Sequence, residues 1–284
     1  MLKLGPFALH TIETGRFALD GGAMFGIVPK PLWERKIPAD AKNRIPMHMR
    51  CLLIEAGDRL VLVDNGLGDK YDAKFRDIYA VDQETYELHD ALRHAGFTAR
   101  DVTDVILTHL HFDHCGGSTR HSGDRLEIVF DRATHHVQRR HWEWTKTPNV
   151  RERNSFLAEN LEPLGASGQL AFLDGRTEIL PGIEVLPVEG HTVGMQLVKV
   201  STGAETLVHM ADLLPTSAHL APAWNMAYDL FPMETIREKA AFLDEAEAGG
   251  WRLFYEHDPV VEISSLKRTD AGVVVEAPRR LDAF

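Results

Sequence analysis

Short apolar runs bounded by glycine, aspartate and proline dominate the chain, and their spacing predicts many strands punctuated by a few helices. Residues 51–55 and 60–64 are two β-prone runs joined by Ala-Gly-Asp-Arg, the pattern of a hairpin. Residues 83–95 read as a helix, with Tyr86, Leu88, Ala91, Leu92 and Ala95 in a 3.6-period stripe and Gly96 placed to end it. A short buried strand is expected at 105–107, and others at 126–130, 183–188, 195–200, 206–211 and 251–255, with 260–264 and 273–275 closing a sheet. Residues 232–248 read as a second helix that shows Ile236, Ala240 and Leu243 on one face and stops at Gly249-Gly250. This order suits an α/β or α+β sandwich and not a helical bundle. No repeat or Ser/Gly-rich linker divides the 284 residues, so a single domain over 1–284 is expected.

The strand at 105–107 leads into the densest chemistry of the chain, His109-Leu110-His111-Phe112-Asp113-His114 followed by Cys115-Gly116-Gly117. Four candidate ligands fall within six positions. In a helix, residues i and i+2 lie about 200° apart, so His109 and His111 would diverge; in an extended segment they point the same way and share an ion. Asp113 and His114 are adjacent and converge only in a turn, expected to be the first turn of a helix opened by Gly116-Gly117. Imidazole with carboxylate suits zinc, and also manganese, iron or cobalt. Three later segments share one pattern, an apolar run ending in a ligand: 184–190 then His191, 207–211 then Asp212, and 251–256 then His257. Side chains at strand ends project into the loops at a sheet edge, where active sites are commonly built.

HLHFDH, a later Gly-His-Thr, an Asp closing a strand and a late His resemble the metallo-β-lactamase superfamily, over about residues 53–257. The resemblance implies an α+β fold, an αβ/βα four-layer sandwich of two facing mixed sheets with helices outside. It implies that His109, His111 and His191 hold a first divalent ion, that Asp113, His114 and His257 hold a second, and that Asp212 bridges them. Asp64, closing the run 60–66, is then a support for the metal loop from behind and not a ligand. Two ions roughly 3.5–4 Å apart lower the pKa of a shared water toward neutrality. Asp113 and Asp212 are the expected catalytic carboxylates, fixing that water, with Asp113 passing a proton to the leaving group. Length and pattern look most like the lactonase-like branch, which includes N-acyl homoserine lactonases and organophosphate hydrolases, and imply hydrolysis of an ester or lactone. A glyoxalase II-like thioesterase or a phosphotriesterase is the alternative, and a metal-free binding protein on the same fold is the reading from another class. Some lactonases carry a catalytic Tyr three residues after the bridging Asp, where this chain has Pro215. Cys115 falls outside the ligand pattern that many β-lactamases use, so antibiotic hydrolysis is not expected.

Two aromatic-rich segments, 23–33 and 221–231, are candidates to line the pocket through Phe25, Trp33, Trp224, Met226 and Tyr228. His219, in the loop after Asp212, is expected at the pocket rim. The other histidines (His10, His48, His89, His94, His121, His135, His136, His141 and His209) have no comparable setting and read as structural or surface residues.

A net charge of −11 and only short basic pairs (Arg139-Arg140, Lys267-Arg268, Arg279-Arg280) argue against nucleic acid as a partner, since backbone phosphates demand a basic face. The same lack of a basic patch disfavours a glutathione thioester. Two cysteines outside any CxxC pair, no signal-peptide pattern and no apolar stretch near the roughly 20 residues of a membrane span point to a cytoplasmic protein. The expected partners are a small-molecule substrate and, at most, a second copy in a homodimer, with no membrane.

Overall fold

The computed structural model describes residues 1–84, 87–270 and 272–281. The predicted hairpin forms the centre of a first sheet. Its strands are β1 (Leu2–Leu4), β2 (Phe7–Asp20), β3 (Arg44–Ala56), β4 (Arg59–Val63) and β5 (Asp104–Ile106). A separate ribbon of β6 (Thr119–Ser122) and β7 (Arg125–Ile128) follows, and β8 (Thr134–Gln138) and β9 (Leu170–Leu173) complete the first sheet in the order β1-β2-β3-β4-β5-β8-β9. Pairing is antiparallel through β4 and parallel from β4 to β9.

The second sheet takes its strands in chain order: β10 (Thr177–Leu180), β11 (Ile183–Val188), β12 (Met195–Ser201), β13 (Thr206–His209), β14 (Arg252–Phe254), β15 (Ile263–Thr269) and β16 (Gly272–Arg279). Only β13 and β14 run parallel there, because α-helical residues 232–248 carry the chain back between them.

The period-2 geometry of a strand explains why β3 is apolar on both sides. Leu52 and Ile54 face the second sheet, meeting Val185, Val198 and Val200, while Cys51 and Leu53 face outward under helices. The outer cover on that side includes α4 (Leu88–His94) and α7 (Ala158–Ala166), through Leu88, Leu92 and Leu164. The second sheet is covered by α8 (Pro232–Ala248), whose Phe242, Leu243 and Ala246 pack on Leu197, Val208 and Leu253. The layers are therefore helix, sheet, sheet, helix, as the resemblance implied. No helix of the described residues is long and apolar enough to cross a membrane.

Several element bounds differ from the expectation. The helix expected over 83–95 starts at Leu88, where the Glu87 carboxylate accepts the Asp90 N–H at 3.1 Å; Tyr86 lies outside the described residues. The strand expected at 260–264 shifts to 263–269, because the Asp258 side chain accepts the N–H groups of Val260 and Val261 and curls that segment away from the sheet. The run at 126–130 becomes β7 of the ribbon and joins neither sheet. β2, which none of the expected runs covers, shifts register between Glu13 and Arg16, which breaks the alternation.

His135 on β8 is fully buried, and neither ring nitrogen has a hydrogen-bond partner. Burial pushes its pKa down to about 4, and His141, His209 and His219 are pushed to about 4 for the same first cause. An unfolded histidine takes up its proton near pH 6.5, so each of these contributes stability above that pH that is lost as pH falls toward 4. For His135 the loss is on the order of 3 kcal/mol by pH 4. Urea unfolding in chelator should show stability falling steeply from pH 6.5 to 4.5, and His135→Leu should make that slope shallower.

Candidate metal centre

Every predicted ligand sits just beyond the end of a strand. β5 gives way at Leu107 to an extended stretch that presents His109 and His111, and His111 then caps α5 (Phe112–Cys115), whose one turn carries Asp113 and His114. Gly116 and Gly117 follow this helix, rather than opening it. A Cβ at Gly116 would lie 1.9 Å from the Leu67 carbonyl oxygen, and one at Gly117 would lie 2.2 Å from that of Asn65. Glycine there lets the ligand turn press against the loop that leaves β4. His191 follows β11, Asp212 follows β13 in a 3₁₀ turn, and His257 follows β14. Ala211, before Asp212, has φ +43°, a left-handed bend that turns the carboxylate into the site.

The donor atoms converge on two points. His111 Nδ1 lies 3.0 Å from His109 Nε2 and 3.2 Å from His191 Nε2. Across from them, His114 Nε2 lies 3.2 Å from His257 Nε2, with Asp113 Oδ2 at 3.8 and 3.9 Å from the two nitrogens. Asp212 stands between, Oδ2 at 3.3 Å from His191 Nε2 and Oδ1 at 3.3 Å from His257 Nε2. Two nitrogens on a tetrahedral zinc with bonds of about 2.0–2.1 Å stand about 3.3 Å apart, so the spacing suits a cation.

The far side of each ring fixes which nitrogen faces inward. His109 Nδ1 meets Thr108 Oγ1 at 3.1 Å, and His111 Nε2 meets Glu152 Oε1 at 3.0 Å. His114 Nδ1 meets Asp64 Oδ2 at 3.1 Å, His191 Nδ1 meets Asp229 Oδ1 at 3.0 Å, and His257 Nδ1 meets the His48 carbonyl at 2.8 Å. A hydrogen-bond partner stands behind each of the five rings and turns its other nitrogen inward, the orientation that metal-binding imidazoles need. The residues therefore fit a pair of divalent ions: His109, His111 and His191 form one group of converging donors, and Asp113, His114 and His257 another.

Asp64 supports the metal loop as expected. At φ +56° just past β4, its carboxylate accepts Thr108 N–H at 2.7 Å, Thr108 O–H at 2.6 Å and the His114 ring. Glu256, adjacent to His257, is a second carboxylate behind His114, at 3.3 Å from Nδ1. Burial, then the neighbouring Asp64, pushes its pKa up to about 8 despite the His114 charge. Burial opposes charge on His257 as well, but Asp212 outweighs it and lifts the imidazole to about 9; burial leaves His109 and His111 below the ordinary range.

A cavity of about 450 Å³ opens over these donors. Leu19, Met24, Met47, Phe112, Met226 and Leu230 form its apolar wall, and Tyr79, Arg151, Asn154, Ser155 and Tyr228 its polar side. Burial first, and then nearby acidic charge, raises the pKa of both phenols, Tyr228 to about 12, so both stay protonated donors.

Met226 and Tyr228 thus line the cavity as expected, whereas Phe25, Trp33, Trp224 and His219 do not. The other three gather on Phe25, whose ring stacks on His219 at 4.6 Å and on Trp33 at 5.4 Å and meets Trp224 edge-on at 5.7 Å. His219 is buried, its Nε2 meeting the Met24 carbonyl at 2.9 Å, so it backs the wall without rimming it. Glu152, Asp229, Glu256, Tyr79 and Arg151 were not singled out from sequence.

A four-layer sandwich with imidazoles and carboxylates gathered beyond the ends of its strands defines a metal-dependent hydrolase. Residues 49–257 match the family profile described as the metallo-beta-lactamase superfamily, and the chain belongs to that superfamily. An N-acyl homoserine lactonase of Bacillus cereus is 23% identical over 245 residues, covering 83% of this chain and 80% of that protein. Among solved structures, a probable metal-dependent hydrolase from Staphylococcus aureus superposes with a TM-score of 0.88 at 29% identity, covering 98% of this chain and all of its own. AidC, a dizinc quorum-quenching lactonase in complex with a product, shares the fold with a TM-score of 0.82 at 23% identity, covering 98% of this chain and 96% of its own.

Asp64→Ala leaves Thr108 N–H and O–H without their buried acceptor and the His114 ring with Glu256 alone behind it, and should cost about 3–5 kcal/mol in urea unfolding. Asp64→Asn keeps the shape and tolerates the left-handed backbone, so its loss should be smaller.

Proposed function

We propose that this protein is a dinuclear metal-dependent hydrolase of acyl lactones and closely related esters, with the acyl chain lying along the methionine-rich wall of the cavity. The observation that carries this reading is Asp212, which offers one oxygen to each group of imidazoles. In it, His109, His111 and His191 hold one ion, Asp113, His114 and His257 the other, and Asp212 both. The donor set favours zinc. Such ions supply an activated water at neutral pH and polarise the substrate oxygen.

The chain's own groups do the rest. Met24, Met47 and Met226 offer an unbranched, adaptable apolar surface to an acyl chain and exclude water from the reacting end. Tyr228 and Tyr79 present O–H donors to a carbonyl or ring oxygen, a role that fits the Pro215 at the position where some lactonases carry a tyrosine. Asp113, on the cavity floor, is placed to take a proton and return it to the departing alkoxide. The sequence similarity to proteins named N-acyl homoserine lactonases supports the substrate class.

Purified protein should carry two metal ions per chain by elemental analysis and should hydrolyse acyl lactones, with kcat/KM rising as the acyl chain lengthens. A doubly loaded protein inert toward acyl lactones, aryl esters and phosphotriesters overturns the proposal. Asp212→Ala should reduce bound metal to one ion or fewer. Tyr228→Phe should keep both ions and lower kcat/KM by about a hundredfold, the lower end of the range for loss of a positioned proton donor.

A further inference from the structure

Two surface loops meet over the centre, and each is anchored inward by one carboxylate. In residues 149–155, Val150, Arg151, Arg153 and Asn154 are exposed, whereas Glu152 is buried. The backbone bonds of this loop close within it: Glu152 N–H and Arg153 N–H reach the Asn149 carbonyl, and Ser155 N–H reaches that of Glu152. What reaches inward is the Glu152 carboxylate. Oε1 accepts from His111 Nε2 at 3.0 Å and from the Thr192 hydroxyl, and Oε2 accepts from Trp144 Nε1 at 2.7 Å.

The second loop, 224–231, is held at its backbone as well, its Ala227, Leu230 and Phe231 N–H groups donating to the Ala23, His191 and Gly190 carbonyls, and it too sends one carboxylate inward. Ala227 and Tyr228 are exposed, and Asp229 beside them is 2% exposed with its Oδ1 3.0 Å from His191 Nδ1. Other residues of each loop line the cavity: Arg151, Asn154 and Ser155 beside Glu152 in one, Met226, Ala227, Tyr228 and Leu230 in the other. The Arg151 guanidinium donates to the Ala227 carbonyl and ties the loops together.

We propose that Glu152 and Asp229 are positioning residues that couple the ion held by His109, His111 and His191 to the shape of the substrate cavity. A cation on His111 Nδ1 and His191 Nε2 fixes the protons on His111 Nε2 and His191 Nδ1 and polarises those N–H groups, which strengthens their bonds to the two carboxylates. Each carboxylate in turn holds its loop, and with it the cavity residues that loop carries, in one conformation. Coupling of this kind is reciprocal: if the ion orders the loops, the loops tighten the ion. The inference rests on metal binding at this centre, and goes beyond it by assigning the loops a state that depends on the ion.

The test is hydrogen exchange read by mass spectrometry on the full chain with zinc and after chelation, with zinc affinity measured by competition against a chelating dye. In the wild type, zinc should slow exchange in 149–155 and 224–231 severalfold. Glu152→Gln keeps the side-chain shape and removes the charge. It should weaken the tighter of any zinc sites by about 10–100-fold and abolish the zinc-dependent protection of 149–155. Asp229→Asn should do the same for 224–231. Circular dichroism and the exchange of β3 and β12 report whether each variant has folded, and Glu152→Asp, which restores the charge on a shorter arm, should recover part of the affinity. Zinc bound by the wild type with no change in either loop overturns this inference and leaves the metal centre standing. A wild type that binds no zinc overturns the proposed function as well.

Discussion

Five imidazole nitrogens crowd to 3.0–3.2 Å of one another at the base of the cavity, and the rest of the site is arranged to keep them there. The restraint comes from behind the rings. Thr108, Glu152, Asp64, Asp229 and the His48 carbonyl each stand behind one ring nitrogen and hold the plane of that ring. Buried carboxylates would be costly on their own, but here each is spent on a donor that must point one way. The arrangement exchanges some stability of the empty site for readiness, in keeping with catalysis by pre-set groups.

The sandwich supplies the rigidity this demands. β3 and β12 are buried on both faces, and the Gln196 N–H reaches across from the second sheet to the Thr108 carbonyl at 2.9 Å, joining the sheets at the root of the ligand loop. His257 is fixed in the same manner, its N–H on the Pro215 carbonyl and its own carbonyl accepting from His48. Ligands on short turns between such strands have little freedom to relax apart.

The residues that converge carry a local signal in the sequence: alternation puts His109 and His111 on one side, and His191, Asp212 and His257 each follow an apolar run. The groups behind them carry no such signal. Glu152 finds His111 across 41 positions and Asp229 finds His191 across 38, and a lone acid in a polar loop looks like any solvated one. The aromatic segments misled for a related reason. Phe25, Trp33 and Trp224 lie in irregular chain, which suggested exposed rings, yet large rings close in space bury one another and His219 with them. The fold class followed from strand count and order; strand bounds failed where a side chain such as Asp258 captured the backbone locally.

The order in which the ligands occur along the chain has a consequence of its own. The first four come from the half that builds one sheet and the last three from the half that builds the other, with His257 close to the end. The full set of donors therefore exists only where the two sheets meet, and any opening of the seam between them disperses it.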